Sequence, residues 1–449
     1  MKILKFVGKL RGVLVLAAWL SAGTLLHGQT VKDREGAVRK DKATLENDER
    51  WIYNDYRAAL EQGKETGKPV MVVLRCVPCL ACAGFDGEIL RERTELTPLL
   101  DQFVCVRVIN ANDLDLSLFQ FDYDLSFSTL FFNGDGTLYG RFGSWTHQED
   151  TNNKATNSMK EALQAVLSLH KDYPNNKEAL AGKQSKPLPY RTPVAIPALS
   201  GKYDAQLNWN GAVVKSCVHC HQIGDAMRLE FRNKQQPIPD EWLFPFPQPE
   251  AIGLHLAEDS RARVESVAPG SIAESAKLRR GDEIVTLAGQ PLISIADFSW
   301  VLHQSGDTDT LAMEVVRSGK KGTLQLELTD GWRRNPDHTK RVGTWPMRGM
   351  ALGGMRLADL DEKDRSRYRM EDDRLALKVL SVGKYGMHGA AKRIGFQPDD
   401  VIVRADGQEN RMTEKQLIAY LMQNHNRGKK VDLTVLRNRK EVTLQLPMQ

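Results

Sequence analysis

The chain has 449 residues, and at about 150 residues per domain this length predicts several domains rather than one. Its 62 Lys and Arg residues against 57 Asp and Glu leave a net charge of only +5, so we expect no nucleic-acid partner. A hydrophobic share of 41% excludes both wholesale disorder and a polytopic membrane protein.

The N-terminal segment, residues 1–28, has the pattern of a secretory signal. Four basic residues from Lys2 to Arg11 precede an apolar run from Gly12 to Leu26, which is shorter than the roughly 20 residues that span a bilayer. We therefore predict export to the periplasm or to a membrane surface facing it, with membrane attachment only if the segment is retained. Export permits disulfides, which affects how the six Cys residues are interpreted.

The next part of the chain, residues 40–172, alternates helix and strand patterns. Apolar spacing predicts a helix from Leu45 to Thr66, and the run from Val70 to Leu74 predicts a buried strand. This strand leads directly into Cys76-Val-Pro-Cys79-Leu-Ala-Cys82. Beyond it the pattern predicts a helix at about 86–100, a strand at 103–109, a hairpin of 128–132 and 137–142, and a helix at 159–170.

The order of these elements resembles the thioredoxin fold. The resemblance places Cys79 and Cys82 in the positions of the thioredoxin pair, with Cys76 as an extra thiol upstream. A thiol at a helix N-terminus has a lowered pKa and therefore a larger thiolate fraction. By this resemblance Cys79 would attack and Cys82 would resolve, as in a thiol–disulfide oxidoreductase.

The sequence departs from the thioredoxin pattern at three places. Ser128-Thr129 stands where the family usually has a cis-proline before threonine, Pro78 stands where it has Trp, and Val73 stands where it has a buried acid. Enzyme activity is therefore left open. Two other interpretations of the three thiols are also open: a site for Cu(I) or another thiophilic metal, and a structural disulfide with one spare thiol.

A C-x-x-C-H pattern follows a polar segment. Residues 173–199 contain several prolines and no apolar period, which predicts a linker. Residues 200–246 then carry Cys217-Val-His-Cys220-His221, which resembles the haem-attachment segment of cytochrome c. The resemblance implies a covalent c-type haem on Cys217 and Cys220, with His221 on the iron. A disulfide loop or half of a zinc site would carry the same residues.

The second half of the chain contains an internal repeat. The stretch from Arg263 to Gly289 has a counterpart from Lys378 to Gly407, with a strand, a helix of small residues and a turn into a second strand. A longer helix is predicted in each copy, at Ile295 to His303 and at Glu414 to Asn424. The repeat predicts two domains of one fold, residues 247–331 and 347–448.

Both copies resemble PDZ domains, and the pair resembles the tandem PDZ tail of exported high-temperature-requirement serine proteases. PDZ domains bind the C-terminus of a peptide as an added strand, with its carboxylate on backbone N–H groups. The resemblance places this site at Ile252, Gly253, Leu254 and Leu256, and in the second copy at the loop from Met350 to Met355. Because no Gly-x-Ser-x-Gly nucleophile with His and Asp partners precedes the pair, we expect no serine peptidase.

These observations predict a multidomain protein, α/β plus β-rich. It would comprise a thioredoxin-like α/β domain, a short helical haem-attachment segment and two PDZ-like, partly open β-barrels with helices. The predicted function is that of an exported redox protein. Its thioredoxin-like cysteines and c-type haem would take part in thiol–disulfide exchange or electron transfer, and its PDZ domains would bind an exported protein or peptide C-terminus. The alternatives are a non-enzymatic PDZ scaffold and a Cu(I)-binding thiol protein; the redox partner is not determined by the sequence.

Overall fold

The structure of the protein is a computed structural model that describes residues 33–77, 95–143, 154–184, 187–336 and 341–449. The predicted signal segment lies outside these residues, as do Cys79 and Cys82. Within the described ranges, no helix is both long and apolar enough to cross a membrane.

The first domain is built on a five-stranded sheet with the order β1-β3-β2-β4-β5. The first three strands in this order are parallel, and β4 and β5 are antiparallel to their neighbours. The strands are β1 (Trp51–Tyr53), β2 (Val70–Arg75), β3 (Val104–Val108), β4 (Phe127–Phe132) and β5 (Leu138–Phe142). The helices are α1 (Arg34–Leu45), α2 (Tyr56–Thr66), α3 (Thr97–Leu100) and α4 (Lys154–Asp172).

The central strand β2 separates two apolar cores. Met71 and Val73 pack in the core that includes α4, and the alternate residues Val70 and Val72 pack in the core that includes α2. All six residues of β2 are buried. A strand covered on both faces needs an unbroken apolar run, which is why this strand could be predicted.

The prediction of one helix from Leu45 to Thr66 is wrong in its first half. β1 occupies Trp51–Tyr53 and pairs in parallel with β3, with Trp51 opposite Cys105. Pairing with a strand about 50 residues away stabilises β1, and local apolar spacing does not register such a contact. The predicted hairpin and the following helix are confirmed by β4, β5 and α4.

The described part of residues 173–199 is packed rather than extended as a free linker. It includes the short helix α5 (Lys177–Leu180), and the side chains of Leu180, Ile196 and Leu199 are buried. The N–H of Leu116 donates a hydrogen bond to the carbonyl of Arg191 at 2.8 Å. The few apolar residues of a mostly polar segment therefore attach it to the first domain.

Two helices connect the first domain to the repeats. They are α6 (Cys220–Asn233), which begins inside the C-x-x-C-H pattern, and α7 (Asp240–Leu243). At the start of α6 the N–H of His219 donates to the side chain of Gln222 at 2.8 Å, which satisfies a backbone donor at the helix N-terminus.

The first repeat has a β-hairpin-like pair and a four-stranded sheet. β6 (Leu254–Leu256) pairs with β7 (Val264–Val267), and the sheet has the order β11-β10-β8-β9. Its strands are β8 (Glu283–Leu287), β9 (Gln290–Pro291), β10 (Asp309–Arg317) and β11 (Lys320–Leu328). Its helices are α8 (Ile272–Ser275) and α9 (Ile295–Gln304), the second of which confirms the predicted helix.

The second repeat has a five-stranded antiparallel sheet with the strands in chain order. They are β12 (Met355–Asp359), β13 (Leu377–Val382), β14 (Val401–Ala405), β15 (Lys430–Arg437) and β16 (Lys440–Pro447). The helices are α10 (Thr344–Leu352), α11 (Glu362–Tyr368), α12 (Ala390–Arg393) and α13 (Glu414–Asn424). The predicted helix from Glu414 to Asn424 is confirmed, and the Thr413 side chain caps its first turn.

Helix α9 of the first repeat packs directly on the first domain. Nζ of Lys183 contacts Oδ2 of Asp297 at 2.7 Å, and the same carboxylate accepts a hydrogen bond from the N–H of Arg141 at 3.0 Å. The Arg141 guanidinium lies 3.6 Å from the centre of the Trp300 ring. The first domain and the first repeat thus share a buried interface.

Candidate functional site

Cys76 lies immediately after β2, at the carboxyl end of the strand. Its N–H donates to the carbonyl of Ser126 at 2.9 Å, which continues the pairing of β2 with β4. In β4, Ser128 lies opposite Leu74 and Thr129 lies opposite Val73. The two residues that replace the thioredoxin cis-proline and threonine therefore flank the strand end that carries Cys76.

The loop with Cys217 is held by one buried side chain of the first domain. Nδ2 of Asn112 donates to the carbonyls of Asp204 at 2.7 Å and Ser216 at 2.8 Å. Its Oδ1 accepts from the N–H of Val218 at 2.7 Å. Asn112 is fully buried, so these bonds fix the backbone on both sides of Cys217.

The two cysteine motifs meet at this position. Sγ of Cys76 lies 3.3 Å from Nδ1 of His219, the residue between Val218 and Cys220. The thiol of Cys217 donates to the carbonyl of Ile109 at 3.5 Å, and Cys220 packs against the apolar core of the first domain. Cys76, Cys217 and Cys220 therefore belong to one site, although about 140 residues separate the motifs in the chain.

Burial dominates the ionisation of this site. It raises the pKa of the Cys217 thiol to about 12 and also raises the pKa of Cys220, and the nearby Cys76 adds to both increases. Burial lowers the pKa of His219 to about 4, with further lowering from His221 and Arg34. At neutral pH the His219 ring is therefore uncharged.

His221 lies at the edge of the site. Its Nδ1 is 3.3 Å from Oδ2 of Asp225, and its ring is nearly parallel to that of His219, with 5.9 Å between the ring centres. About a third of the side chain is exposed, at 36%. Because Asp225 engages Nδ1, Nε2 is the nitrogen of His221 that is available to a further ligand.

The remaining predicted cysteine positions are not brought into this geometry. Cys79 and Cys82 lie outside the described residues. Cys105 is 1% exposed in β3, and burial raises its pKa to about 12. Among the residues that the structure describes, no group of three or more His, Cys, Asp and Glu side chains is arranged to hold a metal ion.

The predicted peptide site of the first repeat is formed mainly by backbone. Gly253 has φ of +73°, and a Cβ there would lie 2.3 Å from Cβ of Ser271, so the position requires glycine. The side chains of Ile252, Leu254 and Leu256 are buried in the core of the repeat. β6 pairs with β7 along one edge, and no strand of the described chain covers its other edge. An added strand would bind along that edge.

The corresponding edge of the second repeat is occupied by a side chain. Oε1 of Glu414 accepts a hydrogen bond from the N–H of Leu357 in β12 at 2.7 Å. The same carboxylate forms a buried ion pair with Arg348, with Nη2 and Oε2 at 2.6 Å. A strand added to β12 would have to displace Glu414, whereas β6 offers its edge directly.

Three family models match separate parts of the chain. A thioredoxin-like model matches residues 51–134, and two PDZ domain models match residues 263–317 and 367–448. The chain therefore contains one thioredoxin-like domain and two PDZ domains. The thioredoxin-like match includes Cys76, Cys79 and Cys82, and the two PDZ matches fall within the two copies of the internal repeat.

The relatives include probable periplasmic serine endoproteases described as DegP-like and a putative zinc metalloprotease. The protein of Pseudomonas putida (strain F1) is 28% identical over 163 residues, which cover 35% of this chain and 31% of the relative. The protein of a Marinomonas species is 25% identical over 188 residues, which cover 42% and 37%. A solved structure of the HtrA-type protease AlgW with a decapeptide is 16% identical, covers 31% of this chain and 48% of that chain, and has a TM-score of 0.20. The chain thus spans about a third of the length of these curated relatives.

Sequence reasoning did not identify two residues that organise the thiol site. His219 is one of the two variable positions of the C-x-x-C-H pattern, and its place between two cysteines is its only sequence signal. Asn112 has no sequence signal, because the groups that it binds at Asp204, Ser216 and Val218 come from a distant part of the chain.

Proposed function

We propose that the protein is an exported redox protein whose thioredoxin-like domain performs thiol–disulfide exchange on a protein that the PDZ domains bind by its C-terminus. The observation that carries this proposal is the position of Cys76 at the end of β2, 3.3 Å from His219 and beside two further thiols. A scaffold would need the thioredoxin-like and PDZ folds, but it would not need this grouping of thiols around an uncharged imidazole.

Thiol–disulfide exchange needs a thiolate and a group that takes the thiol proton. Nδ1 of His219 is close enough to Sγ of Cys76 to take that proton, but burial, which lowers the pKa of His219, opposes the transfer. The thiolate of Cys76 would then stabilise the protonated ring by Coulomb attraction. By the thioredoxin resemblance, Cys79 and Cys82 supply the attacking and resolving thiols for the partner protein.

Docking by the first PDZ domain is supported by the uncovered edge of β6 and by the requirement for glycine at Gly253. Main-chain hydrogen bonds along such an edge supply affinity that does not depend on the side chains of the peptide. The second PDZ domain contributes less in this arrangement, because Glu414 occupies the N–H of Leu357. Export is supported by the pattern of residues 1–28 and by relatives that are described as periplasmic.

A c-type haem on Cys217, Cys220 and His221 is the second candidate for this segment. The donor set fits such a group, because Asp225 contacts Nδ1 of His221 and leaves Nε2 available to bind iron. The packing fits less well, because Cys217 donates to Ile109 and Cys220 packs on the core of the thioredoxin-like domain. These contacts with the thioredoxin-like domain favour thiol chemistry over haem attachment.

One preparation tests both candidates. The protein is expressed in a host with a haem c maturation system, and its intact mass, its reduced-minus-oxidised spectrum and its disulfide-exchange turnover are measured. We expect a mass without haem, and turnover that is lost in Cys79→Ser and kept in the control Cys105→Ser. A covalent haem mass with a sharp α-band would replace the proposal by an electron carrier. A haem-free protein without turnover would leave a non-enzymatic PDZ scaffold as the remaining function.

A further inference from the structure

The exposed apolar side chains of the described chain are concentrated in one region. Single exposed apolar residues scattered over a surface are ordinary, whereas a concentration of them marks a surface that binds a partner. Neither the thiol site nor the edge of β6 includes any of them. Among the described residues, the large apolar side chains that are exposed all lie in or beside the second repeat: Val342, Trp345, Leu380, Tyr385 and Met387.

Helix α10 and the loop that connects β13 to α12, at residues 383–389, bring these side chains together. The Trp345 ring is 49% exposed and stacks on the ring of His388, with 4.3 Å between the ring centres. A Cβ at Gly349 of α10 would lie 2.7 Å from Sδ of Met387, so the loop packs closely on the helix. Two segments that are about 40 residues apart in the chain therefore form one apolar surface.

The loop is held in a fixed conformation by hydrogen bonds at both ends. The N–H of Gly383 donates to the carbonyl of Gly354 at 3.0 Å, and Nη1 of Arg393 donates to the carbonyl of Gly386 at 3.1 Å. Tyr385 lies between these contacts and is 83% exposed, so its side chain projects into solvent and does not line a groove. A projecting side chain on a fixed loop can bind without the entropic cost of ordering the loop.

The same surface is basic. Residues 341–358 and 375–398, which supply both segments, contain no Asp and no Glu. Lys384, Lys392 and Arg393 are exposed, and no ion pair formed among the described residues includes them. Their positive charges are therefore available to an anionic partner.

We propose that this surface docks the second PDZ domain on a membrane that contains anionic phospholipids. Trp and Tyr side chains favour the headgroup level of a bilayer, because each has an apolar ring and a polar group. Each Lys or Arg near an anionic leaflet adds an attraction that salt screens. The surface would bind through both contributions, as amphipathic segments that lie on membranes do.

A second copy of the chain is a less favourable occupant. In a two-fold dimer the same surface contacts itself, so Lys384, Lys392 and Arg393 would face residues of the same charge. Anionic headgroups supply the opposite charge over an apolar layer that accepts Trp345 and Tyr385. The inference uses neither the thiols nor the edge of β6, so a protein without disulfide-exchange turnover would still bind the membrane.

Vesicle binding by the full chain tests the inference. The protein is sedimented with vesicles of phosphatidylcholine alone, and with vesicles of equal parts phosphatidylcholine and phosphatidylglycerol. We expect at least about tenfold tighter binding to the anionic vesicles, and a smaller difference at about 0.5 M salt because the charges are screened. Equal binding to the two kinds of vesicle, or no binding to either, would overturn the inference.

A matched pair of charge variants locates the contact. Lys384→Glu combined with Lys392→Glu should weaken binding to the anionic vesicles at least about tenfold. The control, Lys320→Glu combined with Lys321→Glu, makes the same change in net charge at two exposed residues at the start of β11, and its binding should stay within about twofold of the wild type. Equal losses in the two variants would mean that net charge alone drives binding, and would overturn the inference.

Two further measurements address the apolar part of the surface. Tyr385→Ser combined with Met387→Ser should weaken binding about tenfold at low and at high salt, since the lost contribution is apolar. The fluorescence difference between the wild type and Trp345→Phe isolates Trp345, and lipids brominated near the headgroup should quench it on anionic vesicles. This readout also serves if residues 1–28 bind vesicles, because that segment is common to both proteins.

The remaining outcomes also decide the inference. An unquenched Trp345 on vesicle-bound protein would place the contact elsewhere and overturn it. A dimer in solution that the change of Tyr385 and Met387 converts to a monomer would assign the surface to a second copy, and would overturn it as well.

Discussion

Nζ of Lys183 lies 2.7 Å from Oδ2 of Asp297, and neither side chain is exposed to solvent. This ion pair joins the segment that follows the thioredoxin-like domain to helix α9 of the first PDZ domain. Burial lowers the pKa of Lys183, and the negative charge of Asp297 opposes that shift. The pair is therefore a point where a single substitution should separate two domains.

Replacing Asp297 by Ala should leave the Lys183 cation buried without a counter-charge. We expect a loss of about 3–5 kcal/mol in the free energy of unfolding, measured by urea denaturation of the full chain. The control is Asp259→Ala, since the pair of Asp259 with Arg263 is more than 40% exposed on both sides. Its loss should stay below about 1 kcal/mol. Equal losses in the two variants would contradict a structural role for the buried pair.

The stability of the protein should fall with decreasing pH because of His303. Burial lowers the pKa of this residue to about 3, and the nearby Arg333 adds to the effect. An unfolded His has a pKa of about 6.5, so between these values the unfolded chain binds more protons and stability rises with pH. His303→Gln should remove up to about 1.4 kcal/mol per pH unit from that slope. Denaturation curves at several pH values check this, and equal slopes for the wild type and His303→Gln would contradict it.

Peptide docking should depend on Gly253 and not on Gly270, a second glycine of the same repeat. Both residues have φ near +70°, but a Cβ at Gly253 would clash with Ser271, while a Cβ at Gly270 meets nothing within 4 Å. Ala at either position should therefore cost about 1 kcal/mol of backbone strain. Only Gly253→Ala should also distort the loop. Fluorescence anisotropy with labelled C-terminal peptides should show at least about tenfold weaker binding for this variant. Equal affinities would place the docking site elsewhere.

Cys105 should be the least reactive of the described cysteines. It is 1% exposed, and burial raises the pKa of its thiol to about 12, so almost no accessible thiolate is present. Differential alkylation with iodoacetamide, read by peptide mass spectrometry, should label Cys105 only after denaturation in urea. Cys76, which is partly exposed, should react in the native protein. Labelling of native Cys105 at the rate of Cys76 would contradict the packing of β3.

Local sequence patterns predicted the elements that depend on local chemistry. The turn at Asn133-Gly134 gave the hairpin of β4 and β5, and the cap at Thr413 marks the start of α13. Strand β1 was missed, because three residues paired in parallel with a distant strand leave no periodic signal. The packing of residues 173–199 was missed because only a few isolated side chains, such as Ile196, attach that segment.

The candidate site was predictable in its parts and not in its assembly. Each cysteine motif is evident from its spacing, and each predicted a separate chemistry. Their meeting depends on Asn112 and on the carboxyl end of β2, and neither carries a signal that points to the other motif. Contacts across more than 100 residues are set by the packing of whole elements, which single-sequence periodicity does not contain.

Helix α9 packs on the thioredoxin-like domain, and this contact fixes the distance between the edge of β6 and the sheet that carries Cys76. β6 and α9 share one apolar core, so the edge of β6 cannot move relative to the sheet that carries Cys76 without breaking the contacts of Asp297 with Arg141 and Lys183. The C-terminal tail of a partner protein, once bound along β6, would bring the partner's cysteine to the thiols of this protein only if enough residues separate that cysteine from the C-terminus. Each extended residue adds about 3.3 Å. The protein would then select its targets more by the length of the C-terminal tail than by the amino-acid sequence of that tail.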